Sequence, residues 1–145
     1  MKQRFSWLVE FEIPLEDGAV IHCHYDKEGD ILELFFKRGP ATCTVELTDN
    51  IMLRFDRENE EPLSLGLISY SALARLTETG PRGFRLKLDE IPDDVRQTVL
   101  KIITTPPVNR FLKVLTYSPR PARRPVPIAY IEELPAFALA QKEIA

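Results

Sequence analysis

The sequence predicts an α+β fold: an antiparallel, strand-rich meander sheet with one main helix packed on it and a C-terminal arm. Three observations carry this. Apolar residues recur at every second position through the first half of the chain, the period of strands that bury one face. Clusters of Gly, Pro, Asp and Asn interrupt that pattern at short intervals, as turns do. Beyond them lies one clear stretch of helical spacing at 92–103, followed by a Pro- and Arg-rich segment and an apolar tail.

The first strand is expected over 4–13, where Phe5, Trp7, Val9, Phe11 and Ile13 alternate with Arg4, Ser6, Glu10 and Glu12. Pro14 and Glu16-Asp17-Gly18 reverse the chain, because glycine accepts positive φ and aspartate bonds its own backbone. Strands follow at 19–25 and 31–37, joined by Asp26-Lys27-Glu28-Gly29-Asp30, then at 41–48, and after the Asp49-Asn50 corner at 51–56. The polar run 57–61 leads into a strand at 63–69.

A short helix is compatible with 70–76, and an alternating strand with Phe84, Leu86 and Leu88. The main helix follows: Val95, Val99, Ile102 and Ile103 form its apolar stripe, Pro92 suits its first turn, and Asp93 and Asp94 complement its dipole. Thr104-Thr105-Pro106-Pro107 stops it, and 108–117 fits a helical stripe or a strand. Residues 118–127 hold four prolines and three arginines with no acid, the composition of an extended linker. The expected organisation is one domain over 1–117, this linker, and an arm over 128–145 whose apolar residues pack on the domain or on a partner chain. No internal repeat is evident from the residues alone.

Composition bounds the function. A net charge of -3 gives no global attraction to nucleic acid or to an anionic membrane. The amino terminus carries no apolar signal core, and no run of apolar residues is long enough to span a bilayer, which points to the cytoplasm. Two cysteines, Cys23 and Cys43, are too few for a disulfide framework or a paired-hook zinc site and are expected as buried thiols.

His22 and His24 share one strand face while Cys23 points to the other, so a metal would need further ligands from neighbouring strands. Asp26 to Asp30 has the alternating oxygens of a calcium loop but strand flanks, which favours a hairpin turn with Asp26 capping backbone amides. Carboxylates at Glu10, Glu12, Glu33, Glu46 and Asp56 sit on strands where pairs can converge, although with 22 acids in the chain accidental pairs are expected. No phosphate loop, Gly-x-Ser-x-Gly elbow or Cys-His-Asn ordering occurs. Arg120, Arg123 and Arg124 can contact phosphates, and their Pro-rich setting can equally occupy a polyproline-binding groove.

The segment His24-Tyr25-Asp26-Lys27-Glu28-Gly29-Asp30-Ile31-Leu32-Glu33-Leu34 resembles the opening of the bacterial and archaeal domain of unknown function 2283. Thr44-Val45-Glu46-Leu47, residues 51–56 and Leu65-Gly66-Leu67-Ile68 resemble its later strands in order, so the likeness runs over roughly 24–70. The resemblance implies a small β-sheet core with a helix and no established activity; relatives encoded near toxin-like genes extend it to a partner-binding or antitoxin-like role.

The sequence therefore favours a non-catalytic protein-binding module without a cofactor, acting on a protein partner or by self-association. Arg120, Arg123, Arg124, Tyr130 and Phe137 are its expected contact residues. A small enzyme with an unrecognised pocket and a nucleic-acid-associated regulator are the alternatives.

Overall fold

The computed structural model describes residues 7–73, 76–77, 80–81, 84–117 and 126–131. Six strands form the main sheet: β1 (Leu8–Pro14), β2 (Val20–Asp26), β3 (Ile31–Phe35), β4 (Cys43–Thr48), β5 (Ile51–Asp56) and β6 (Glu61–Ile68). Their spatial order is β1-β2-β3-β6-β5-β4, and every pairing is antiparallel. Two three-stranded meanders therefore join edge to edge where β3 meets β6.

That order contains an approximate two-fold axis. Leu34 pairs with Leu65 at the centre, and on either side of it Leu32 pairs with Leu67 while the Phe36 N–H donates to the Leu63 carbonyl. The axis relates the turn after β2 to the turn after β5. Asp26 Oδ1 accepts from the N–H groups of Glu28 and Gly29; Asp56 Oδ1 accepts from those of Glu58 and Asn59. Asp30 and Glu60 then take the same left-handed conformation, each with φ 54°. The chain thus carries an internal repeat that its residues did not disclose, because only Tyr25-Asp26-Lys27-Glu28 and Phe55-Asp56-Arg57-Glu58 keep a visible likeness.

Alternation places Ile21, Cys23 and Tyr25 of β2, Leu32 and Leu34 of β3, Leu65 and Leu67 of β6, and Ile51, Leu53 and Phe55 of β5 on one buried face. The helix α2 (Asp93–Ile103) adds Val95, Val99, Ile102 and Ile103 to the same core. Pro92 is its N-cap, and its last carbonyls are answered by Thr104 Oγ1 on Leu100 O at 2.6 Å and Thr105 Oγ1 on Lys101 O at 2.8 Å. Arg57 to Asp94, at 2.7 Å, and Lys101 to Glu60, at 3.1 Å, tie α2 to the turn after β5.

The remaining elements refine the sequence reading. The short helix is α1 (Tyr70–Leu73), followed by the two-residue strands β7 (Leu76–Thr77) and β8 (Gly80–Pro81). The strand expected through Leu88 is only β9 (Phe84–Arg85); Leu86 and Leu88 are buried without continuing it, and Leu88–Glu90 is a 3-10 turn. Of the two readings of 108–117 the strand is found, as β10 (Leu112–Tyr117), after a 3-10 turn at Val108–Arg110; the helical stripe through Leu115 does not form. The strand β11 (Val126–Ile131) pairs with β10 and β9, so it begins inside the stretch expected to be linker.

Candidate functional site

The second face of the six-stranded sheet carries its chemistry. Two rows of outward residues cross it in register. One runs Glu12, His22, Phe35, Ser64, Arg54, Thr44; the next runs Glu10, His24, Glu33, Gly66, Met52, Glu46. Large side chains stand on β2, β3 and β5, whereas the central strand β6 presents only Ser64 and Gly66. A groove of about 800 Å³ follows, within the usual range of roughly 300–1,000 Å³ for ligand sites. Its walls include His22, His24, Phe35 and Arg54, and the segment 36–39 forms a rim. That rim is held by Leu63, whose carbonyl accepts from both Phe36 and Lys37 N–H.

Ser64 is only 2 % exposed, and its hydroxyl has no hydrogen-bond partner among the described residues. A buried hydroxyl left unpaired costs about 1–3 kcal/mol, so its position calls for an explanation. Of the cations around the groove, Lys37 is paired with Glu61. Neither the Arg38 nor the Arg54 side chain makes an ion pair or hydrogen bond among the described residues. Glu10 is the acid that lines the groove.

His22 and His24 do share the outward face. His22 Nδ1 lies 3.4 Å from Glu12 Oε1, and the His24 ring meets Phe35 edge-on with centroids 4.9 Å apart. No group of three or more potential metal ligands is found among the described residues. His22 and Ser64 are two strands apart, roughly 10 Å at ordinary strand spacing, so they form no nucleophile–base pair. Cys23 points inward, donates to the Ile21 carbonyl at 3.8 Å, and burial pushes its thiol up to about 12.

The carboxylates divide by role. Glu10, Glu12, Glu33 and Glu46 stand on the outward face, while Asp56 belongs to its turn, where Asn59 holds its carboxyl below the usual range. The stretch 26–30 is a hairpin turn with Asp26 capping amides. Asp30 goes further, for its Oδ1 accepts from Tyr25 Oη at 2.6 Å and Ser71 Oγ at 2.9 Å, fastening the hairpin to α1. Burial and that hydrogen bond raise the Tyr25 phenol above its ordinary value.

Of the expected contact residues, Tyr130 lies half-buried on β11 opposite Lys113. Arg120, Arg123, Arg124 and Phe137 lie outside the described residues. The groove residues Phe35, Arg54 and Ser64, and Gly66 in the adjoining row, carry no motif. The one signal for them is a pair of small residues, Ser64 and Gly66, on the polar side of an otherwise bulky strand.

Residues 22–60, about a quarter of the chain, match the model of the family described as protein of unknown function (DUF2283). The matched segment spans β2 to β5 and contains His22, His24, Phe35 and Arg54; it ends before Ser64 and Gly66. No curated protein and no solved structure matches the chain. No helix among the described residues is long and apolar enough to cross a membrane.

Proposed function

We propose that this protein is a non-catalytic, cytoplasmic protein-binding module whose contact surface is the face of the six-stranded sheet that no other described element covers. One observation carries the reading. The inward face is packed by α2 and its neighbours, whereas the outward face keeps Val20 at 40 % and Ile31 at 38 % exposure at its two ends, with the half-buried Phe35 between them. Val20 lines the groove and Ile31 does not, so the apolar surface extends beyond what a small molecule in the groove would cover. Both cysteines are free thiols, in keeping with a reducing compartment.

Capture of cross-linked complexes tests this, using the intact chain and a V20K/I31K double variant whose changed side chains are already exposed. A partner protein or second copy retained by the intact chain and lost by the variant is the expected result. Equal retention by both, or retention by neither, removes the proposal.

A further inference from the structure

We propose that the groove recognises a carboxylate, with Arg54 and the Ser64 hydroxyl as its donors, and that the carboxylate is an Asp or Glu side chain of an extended segment of a partner protein. This rests on the protein-binding reading of the same face and names the chemistry that the face selects.

The argument comes from comparing the two halves of the sheet. Across the two-fold axis, His24 of β2 corresponds to Arg54 of β5. His24 stands opposite Glu33, so in the first half a carboxylate occupies the register position facing the imidazole. Arg54 stands opposite Ser64, so the second half puts a hydroxyl where the first has an acid. The result is an Arg54 guanidinium without a carboxylate partner among the described residues, beside a hydroxyl that is 2 % exposed and unpartnered. Residues directly opposed on antiparallel strands have Cβ atoms about 4.5–5.5 Å apart, close enough for both to reach one ligand oxygen pair. Arg54 brings planar donors that match a carboxylate, and Ser64 an O–H whose present lack of a partner a ligand oxygen would relieve.

Charge and shape select the same occupant. Arg38 and Arg54 outweigh Glu10 among the formally charged groups that line the groove and have no ion pair. Phe35 and Leu63 offer an apolar wall beside them. Val20 and Ile31 place exposed apolar side chains at the two ends of this face, about 20 Å apart at ordinary strand rise, so an extended segment with apolar side chains flanking its acid can meet both.

The probe is the peptide acetyl-Leu-Glu-Leu-Glu-Leu-amide, titrated into the full-length chain and followed by backbone amide chemical shifts. The glutamine analogue and sodium acetate serve as the other arms. Saturable shifts centred on His24, Phe35, Ser64 and Gly66 are expected. Affinity should fall at least about tenfold for the glutamine peptide and for the R54Q and S64A variants, the loss of one charge-assisted hydrogen bond. Arg54 is exposed, so R54Q keeps the fold, and S64A should unfold at the same or higher denaturant because it removes an unpaired buried hydroxyl. Equal binding of the two peptides, indifference to both variants, or no saturable shift overturns the inference. Acetate saturating as tightly as the peptide also overturns it, in favour of a free organic acid. None of these results alters the outcome of the cross-linking capture, which judges the protein-binding reading by itself.

Discussion

The half-buried Asp30 and the buried Cys23 set energetic terms that no sequence pattern announces. Asp30 adopts φ 54°, a conformation that costs most non-glycine residues roughly 1 kcal/mol or more, and holds it because Tyr25 and Ser71 both donate to its carboxylate. Replacing it with alanine keeps the strain and removes the acceptor that Tyr25 and Ser71 share. Asp30→Ala should therefore cost about 2–3 kcal/mol in urea unfolding, and Asp30→Asn clearly less, since asparagine tolerates the left-handed region and keeps an acceptor. An alanine variant within about 0.5 kcal/mol of the parent would show that the turn does not depend on this bond. Cys23 acts through pH. Its folded thiol titrates at about 12 against an ordinary 9.0, so the folded state keeps a proton that the unfolded chain gives up. Stability is complete below the ordinary thiol value and falls as pH rises from there towards the folded value. Between pH 8.5 and 10 the parent should lose about 1 kcal/mol more than a Cys23→Ala variant, and parallel curves for the two proteins would refute the assignment. The sequence showed that Cys23 and the histidines face opposite ways, but the unpaired Ser64 hydroxyl was beyond its reach. Whether a serine finds a partner depends on Phe35 and Arg54, which strand order brings beside it.

At the scale of elements, alternation located the six sheet strands to within a few residues, because each buries one face and exposes the other. Alternation failed where burial is not organised by a sheet. Leu86 and Leu88 are buried at strand spacing, yet only Phe84–Arg85 pairs. The Lys87 N–H donates to Leu47 O instead, and Lys87 is drawn to Asp49. The pairing of β3 with β6 was equally illegible, since local period carries no information about which strands meet. That pairing makes β6 central, and Gly66 then becomes anomalous: glycine in a strand interior is destabilising by roughly 0.5–1 kcal/mol and marks a place where something approaches closely. A Cβ added there meets nothing nearer than Met52 O at 4.0 Å, and its φ requires no glycine. Gly66→Val should accordingly raise the melting temperature by about 2–4 °C while adding bulk beside the groove and weakening the acidic peptide. A variant that melts lower than the parent would mean that the backbone at Gly66 needs its freedom, and that the glycine is there for the strand and not to leave space on its polar face.

For the whole molecule the decisive question is whether the C-terminal segment is an appendage or part of the core. Its composition suggested a linker and an arm, and Pro119, Pro121, Pro125 and Pro127 gave no hint of a strand. Yet β11 lies between β10 and β9, and Ala129 and Ile131, at 0 % and 2 % exposure, belong to the same buried cluster as α2 and the large sheet. Proline is tolerated at Pro127 because β9 pairs only with Ile128 and Ala129, so among the described residues β11 has an open edge at that position. A chain ending at Tyr117 would lose the partner of β10 and uncover apolar surface on Leu112 and its neighbours. Burial of an isoleucine contributes about 1.5–3 kcal/mol, and the lost ladder adds its own hydrogen bonds, so the truncation should cost at least about 3 kcal/mol. The consequence reaches the function, because a truncated protein that no longer binds would have lost its fold and not a contact arm. Urea unfolding of the truncated and full-length chains, read beside binding of the acidic peptide, separates these cases. An unchanged midpoint with lost binding would place recognition in the tail and not on the open face of the sheet.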